Sequence, residues 1–165
     1  MKMNDSETKI KAIRSGGQTG VDRGALDAAI EMRVPVEGWC PKGGWAEDYP
    51  DAPGLLTKYP HFKETPSSEP SQRTVWNVRD SDATLILDFE HDLSDSPGTV
   101  LTASVAESLN KPFLVAKLGE CDKIISWING IHGEISLNIA GPRESEAPGI
   151  YAETYSVVKE LLSNN

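Results

Sequence analysis

The residues best suited to chemistry stand together near the start of the chain, in Ser15-Gly-Gly-Gln-Thr-Gly-Val-Asp-Arg-Gly24. Glycines let the backbone turn sharply and approach a ligand closely. The first amides of a following helix lack internal partners and point toward whatever anion sits there. Gly16, Gly17, Gln18, Thr19 and Gly20 are therefore read as a cradle for a phosphate or similar oxyanion. Asp22 and Arg23, in the first helical turn, suit a ribose hydroxyl and a phosphate respectively. The spacing is neither the dinucleotide fingerprint nor a P-loop, since no Gly-Lys-Ser/Thr follows. The competing reading is a tight turn from strand to helix.

Four further segments offer polar groups to the same ligand. Gly38-Trp-Cys-Pro-Lys-Gly-Gly44 adds the Lys42 point charge beside Gly43, and otherwise reads as a surface turn with Trp39 packed inward. Arg73, Asn77 and Asp80 are spaced by four and three, which aligns them on one helix face. A solvated face has the same spacing. Gly98 and Thr99, with Thr102 a turn later, head another helix and offer a second helix-terminus anion site or a plain helix start. Arg143, Glu144 and Ser145 follow a strand and bring a guanidinium fork and a hydroxyl to a turn. Cys40 is an isolated cysteine, suited to packing or to a soft metal. Asp88, Glu90, Asp92 and Asp95 form an acidic loop without the EF-hand pattern. His61, His91 and His132 are scattered, and nothing pairs a nucleophile with a base. No catalytic residue and no metal ligand is assigned.

These loops need strands and helices to hold them. Ile10 to Ile13 reads as a strand and Gly20 to Met32 as a helix; Val34 to Trp39 is extended, and a long irregular excursion follows, with a short strand at Leu55 to Tyr59. A helix from Ser71 or Gln72 to Asp80 precedes Ala83 to Leu87, a continuous apolar run expected of a strand covered on both faces. Then come a helix with Leu101, Val105 and Leu109 at four-residue spacing, a strand at Phe113 to Ala116, and a helix at Asp122 to Ile131. A strand at Ser136 to Ala140 and a helix at Ile150 to Leu162 close the chain. The alternation predicts an α/β fold of three layers, with a mainly parallel sheet and helices on both faces.

With 165 residues the expectation is one domain, residues 1–165, in which 1–9 form a flexible tail. Hydrophobic residues make up 38% and charged residues 25%, ordinary for a globular chain. The formal net charge of −9 argues against nucleic acid as a partner, because such binding needs phosphates neutralised by cations. No leader and no membrane span is legible, so a cytoplasmic protein is expected. Symmetric association into a homo-oligomer is expected as well.

Taken together, SGGQTGVDRGALDAA, GWCPKGG, RTVWNVRDSDATLIL, the Gly98-Thr99 helix start and LNIAGPRESEAPGIY resemble the putative molybdenum carrier family, from about Ile10 to Tyr155. The resemblance implies a Rossmann-like fold related to the lysine-decarboxylase-like nucleotide-binding proteins. It also implies a site for molybdenum cofactor, whose pterin carries a terminal phosphate, with molybdoenzymes as recipients. Related phosphoribohydrolases place glutamates just after their Pro-Gly-Gly-x-Gly-Thr loop, whereas Val100, Leu101 and Thr102 follow Thr99 here. That departure favours a carrier that binds a phosphate-bearing pterin or nucleotide-like ligand without catalysis. The alternatives are a hydrolase or transferase acting on a nucleotide-derived metabolite, with Asp22 or Asp80 as general base, and a nucleotide sensor acting through partner proteins.

Overall fold

The computed structural model describes residues 7–90, 96–163 and 165. Its elements are β1 (Thr8–Arg14), α1 (Val21–Glu31), β2 (Val36–Glu37), β3 (Trp39–Cys40), α2 (Leu55–Lys58), β4 (Lys63–Glu64), α3 (Pro70–Arg79), β5 (Ala83–Asp88), α4 (Pro97–Ser108), β6 (Phe113–Lys117), α5 (Cys121–Asn129), β7 (Gly133–Ala140) and α6 (Ile150–Ser163). Five strands form one parallel sheet in the order β2-β1-β7-β5-β6, while β3 and β4 pair as a separate parallel ribbon. α1 packs on α6 and α5 also meets α6; α3 packs on α4. The parallel α/β sandwich is the arrangement that the alternating pattern predicts and the Rossmann-like fold that the resemblance implies.

The last strand lies in the middle. β7 inserts between β1 and β5, with register pairs Ile13 to Leu137 and Leu85 to Ile139. From this centre the chain steps outward to β2 on one side and to β6 on the other. The carboxyl ends of β1, β7 and β5 therefore face a topological switch point, the place where open α/β sheets bind ligands. Leu85, Leu87, Leu137 and Ile139 are fully buried in the main apolar core with Val21, Ala25 and Ile150. Burying each leucine side chain contributes roughly 1.5–3 kcal/mol, which holds the central strands as a rigid base for the loops above them.

Several boundaries differ from the sequence reading. Thr8 and Lys9, expected in the tail, pair with Gly133 and Glu134 in the sheet; residues 1–6 of the tail lie outside the described residues. The extended piece divides at Gly38: β2 joins the main sheet and β3 leaves it. A Cβ at Gly38 would stand 2.1 Å from the Ser15 carbonyl oxygen, so the divide needs glycine where the two backbones touch. Leu55 to Tyr59, read as a strand, is instead the single turn α2. Tyr59 N–H donates to the Leu55 carbonyl, and both side chains bury against Leu26, Cys40 and Phe62. A five-residue apolar run is ambiguous in period, and here β4 takes the place beside β3. On α4 the fully buried positions are Thr99, Thr102 and Ala106, whereas Leu101 and Val105 are half-buried and Leu109 is exposed.

Candidate functional site

A cavity of about 320 Å³ opens at the carboxyl ends of β1, β7 and β5, within the usual range for small-molecule sites. Its floor is Asn138, Ala140 and Gly141 of β7 and the turn beyond it. The β1–α1 loop contributes Gly16, Gln18 and Asp22. One wall is the helical face of Arg73, Thr74 and Asn77, and the opposite wall is the head of α4 from Ser96 to Thr99 with Leu101 and Thr102. Arg143 and Glu146 close one end, and Trp45 reaches in from the irregular excursion.

Asp22 and Arg73 dominate the electrostatics. Both are buried. Burial pushes the Asp22 carboxyl up to about 6, although the Arg73 guanidinium, the Gln18 and Gly141 amides and Arg23 pull the other way. Burial holds Arg73 below its ordinary value, against the pull of Asp22, and a guanidinium remains charged at neutral pH regardless. Among the described residues Arg73 makes a single hydrogen bond, Nη1 donating to the Gly16 carbonyl at 2.8 Å. Among the described residues its four other donors have no protein acceptor, and they share the cavity with the head of α4, where the Thr99 and Val100 amides both donate to the Ser96 carbonyl at 3.0 Å. Gly98 leaves open space there, since a Cβ would meet nothing within 4 Å. This is the chemistry of an oxyanion site.

The β1–α1 loop contributes shape more than free amides. Gly17 N–H donates to Ser15 Oγ at 3.1 Å, Thr19 N–H to Gln18 Oε1 at 3.0 Å, and Val21 N–H to the Pro142 carbonyl at 3.2 Å. The Gln18 amide faces the chain's own Asp22 carboxylate. Gly17, Thr19 and Gly20 do not line the cavity. Arg23, expected at a ligand phosphate, is spent elsewhere: it donates twice to the Gly17 carbonyl, at 3.2 and 2.9 Å, and twice to Asp48, at 2.8 and 2.9 Å. Its guanidinium also lies 5.3 Å from the Tyr49 ring centre. Arg23→Ala is therefore expected to cost about 2 kcal/mol of stability, because it leaves a buried carbonyl without donors, and to leave anion affinity unchanged. Denaturant melts and calorimetric titration with inorganic phosphate check the two halves.

The other predicted residues divide in the same way. Gly16, Gln18, Asp22, Arg73, Asn77, Gly98, Thr99, Thr102 and Arg143 meet at the cavity. Asn77 also clamps β3, accepting from Trp39 N–H at 2.9 Å and donating to the Trp39 carbonyl at 3.0 Å. Asp80 lies outside, bonded to Arg79 and to Trp39 Nε1, and these donors hold its carboxyl down at about 2. Glu144 accepts from the Gly149 and Tyr151 amides at the start of α6. Ser145 Oγ and Thr19 Oγ1 both donate to Glu47, which ties three loops together. Lys42 and Gly43 line a second, shallower cleft that shares Trp45 and Pro70 with the first.

Trp45, Asn138 and Glu146 were missed by sequence reasoning. Asn138 had a signal, since it is a polar residue inside an apolar strand. Among the described residues no group of three or more His, Cys, Asp or Glu side chains is placed to hold a metal. His91, Asp92 and Asp95 of the acidic loop lie outside the described residues. Cys40 is buried, and burial with nearby Glu64 pushes its thiol up to about 11. No helix among the described residues is long and apolar enough to cross a membrane.

The class defined here is a parallel Rossmann-like α/β sandwich with its last strand at the centre and a cavity over that strand. The chain belongs to the circularly permutated YpsA SLOG family, whose profile matches residues 13–162. It is similar to a crystal structure of a "putative molybdenum carrier protein" from Syntrophus aciditrophicus SB, with 40% sequence identity and a TM-score of 0.82. The match covers 94% of this chain and 96% of that one. No curated protein matches the chain.

Proposed function

We propose that the chain is a non-catalytic carrier whose cavity takes the anionic group of a phosphate-bearing small molecule, with molybdenum cofactor as cargo. The observation that carries this reading is Arg73: a buried guanidinium with one protein acceptor, facing the open head of α4. Thr102 Oγ1 donates to the Gly98 carbonyl at 2.8 Å and Thr99 Oγ1 pairs with Ser96 Oγ at 2.7 Å, which fixes the shape of the α4 head, and Asn138 offers an amide to the organic part. The residues fit the phosphate and ring system of the cofactor; none of the cavity's groups forms a cluster suited to the metal. The name of the 40% identical relative, a "putative molybdenum carrier protein", supports a molybdenum-bearing ligand over other phosphorylated ligands. Molybdoenzymes are then the recipients.

The first test is mass spectrometry of ligand retained by protein purified without oxygen, where a pterin phosphate is expected. The second is calorimetry with ribose 5-phosphate and with ribose. The phosphate is expected to improve affinity tenfold to a hundredfold, the yield of a charge-assisted hydrogen bond worth roughly 1.5–3 kcal/mol, and Arg73→Met is expected to abolish that gain. Equal affinity for the two sugars in the native protein would sink the assignment.

One observation favours a second reading, a hydrolase or transferase acting on a nucleotide-derived metabolite. Asp22 lies in the cavity with its carboxyl near 6, poised for proton transfer, whereas Asp80 lies outside and is far more acidic. Release of free base from nucleoside monophosphates would support this enzyme over the carrier. We also propose a homo-oligomer, supported by the prevalence of symmetric association among folds of this kind, and light scattering tests it.

A further inference from the structure

Among the described residues, Trp45 is the one tryptophan of four with neither a ring partner nor a place against an apolar core. Trp39 and Trp76 meet edge to face at 4.7 Å, and Trp127 packs on the main core. The backbone around Trp45 is nevertheless clamped. Before it, Gly44 N–H donates to the Pro41 carbonyl and the Gly44 carbonyl accepts from Leu55 N–H at 2.8 Å. After it, Ala46 and Tyr49 exchange backbone hydrogen bonds, and Glu47 N–H donates to Gln18 Oε1 at 2.9 Å. A half-buried tryptophan on a backbone tied down on both sides thus lines both cavities where they adjoin.

We infer that Trp45 is the stacking platform for the flat heterocyclic ring of the phosphate-bearing ligand. This rests on the proposed phosphate site at Arg73 and extends it: the anion is held at Arg73 and the α4 head while the ring lies along Trp45 toward the second cleft. A tryptophan has few side-chain torsions to fix on binding and its indole gains from contact with any π-face.

The probes are guanosine monophosphate and ribose 5-phosphate, titrated calorimetrically against the full chain. Base stacking on an aromatic side chain contributes about a tenfold to hundredfold gain, so guanosine monophosphate should bind tighter than ribose 5-phosphate by that factor. Trp45→Phe should retain most of the gain. Trp45→Leu, which keeps apolar bulk without a π-face, should bring guanosine monophosphate down to the affinity of ribose 5-phosphate and leave the latter unchanged. Melting curves establish that both variants are folded. If guanosine monophosphate gains nothing over ribose 5-phosphate, or Trp45→Leu weakens both probes equally, the ring platform is wrong while the phosphate site stands. If neither probe binds, the phosphate site fails and the platform falls with it.

Discussion

Gly20→Ala is expected to leave little folded protein, with a loss of more than about 4 kcal/mol. Gly20 has φ of 78° and ψ of −129°, a backbone region open to glycine and strained by roughly 1–3 kcal/mol for other residues. A Cβ there would stand 2.3 Å from the Pro142 carbonyl oxygen and 2.7 Å from the Arg143 carbonyl carbon and the Glu144 nitrogen. All three are backbone atoms, so no rotamer change makes room. Relief requires moving the β7–α6 turn away from α1, which breaks the Val21 to Pro142 hydrogen bond and opens the cavity floor. Gly119→Ala is the control: its Cβ would meet nothing within 4 Å, and it should change stability by less than about 0.5 kcal/mol. Soluble expression and denaturant melts of both variants decide the matter; a Gly20→Ala protein as stable as the native one would show that the turn is not seated on that glycine.

The same contact shows what a local reading of the sequence reaches. Leu85 and Leu87 announce themselves through their apolar run, because the sheet buries them whatever its strand order. The position of β7 does not announce itself. Its apolar residues, Ile135, Leu137 and Ile139, would read alike at the centre or near an edge, and only long-range pairing with Ile13 and Leu85 sets the order. Leu109 misled for a related reason: its spacing with Leu101 and Val105 marks a helix, but the face of α4 turned inward is that of Thr99 and Thr102, which border the cavity rather than an apolar core.

The site divides along the same line. Gly16, Asp22 and Arg73 were legible from residue type and loop context, and the fold brings them together. Arg23 was misplaced because its acceptor, Asp48, lies 25 residues away in a segment without periodicity. No spacing rule links a helix to an irregular loop. Trp45 escaped notice in that same excursion, where only the clamp of backbone bonds around it shows that it is held. The supposed free amides of the first loop are spent on Ser15, Gln18 and Pro142, partners that a count of orphan helix donors does not see.

Asp22→Asn should reveal a cost that the native chain carries at its site. The carboxyl goes from 3.8 in the unfolded chain to about 6 in the folded one, chiefly through burial. A group raised in this way contributes stability that is full below the unfolded value and lost as pH rises toward the folded value. At about 1.4 kcal/mol per unit, the native protein should lose about 2–3 kcal/mol relative to the variant between about pH 4 and pH 7.5, with no further divergence above. Constant differences between the two, such as the hydrogen bond an amide cannot accept or the counter-charge Arg73 no longer has, shift both ends alike and leave the slope intact. Urea melts of native and Asp22→Asn protein across that window read the slope directly. A carboxylate kept at such cost beside a buried guanidinium agrees with a site that handles anions or protons and not with a core position selected for stability. Parallel pH profiles for the two proteins would show that Asp22 is solvated as readily in the fold as in the unfolded chain, and would remove the support it gives to the enzyme reading of the cavity.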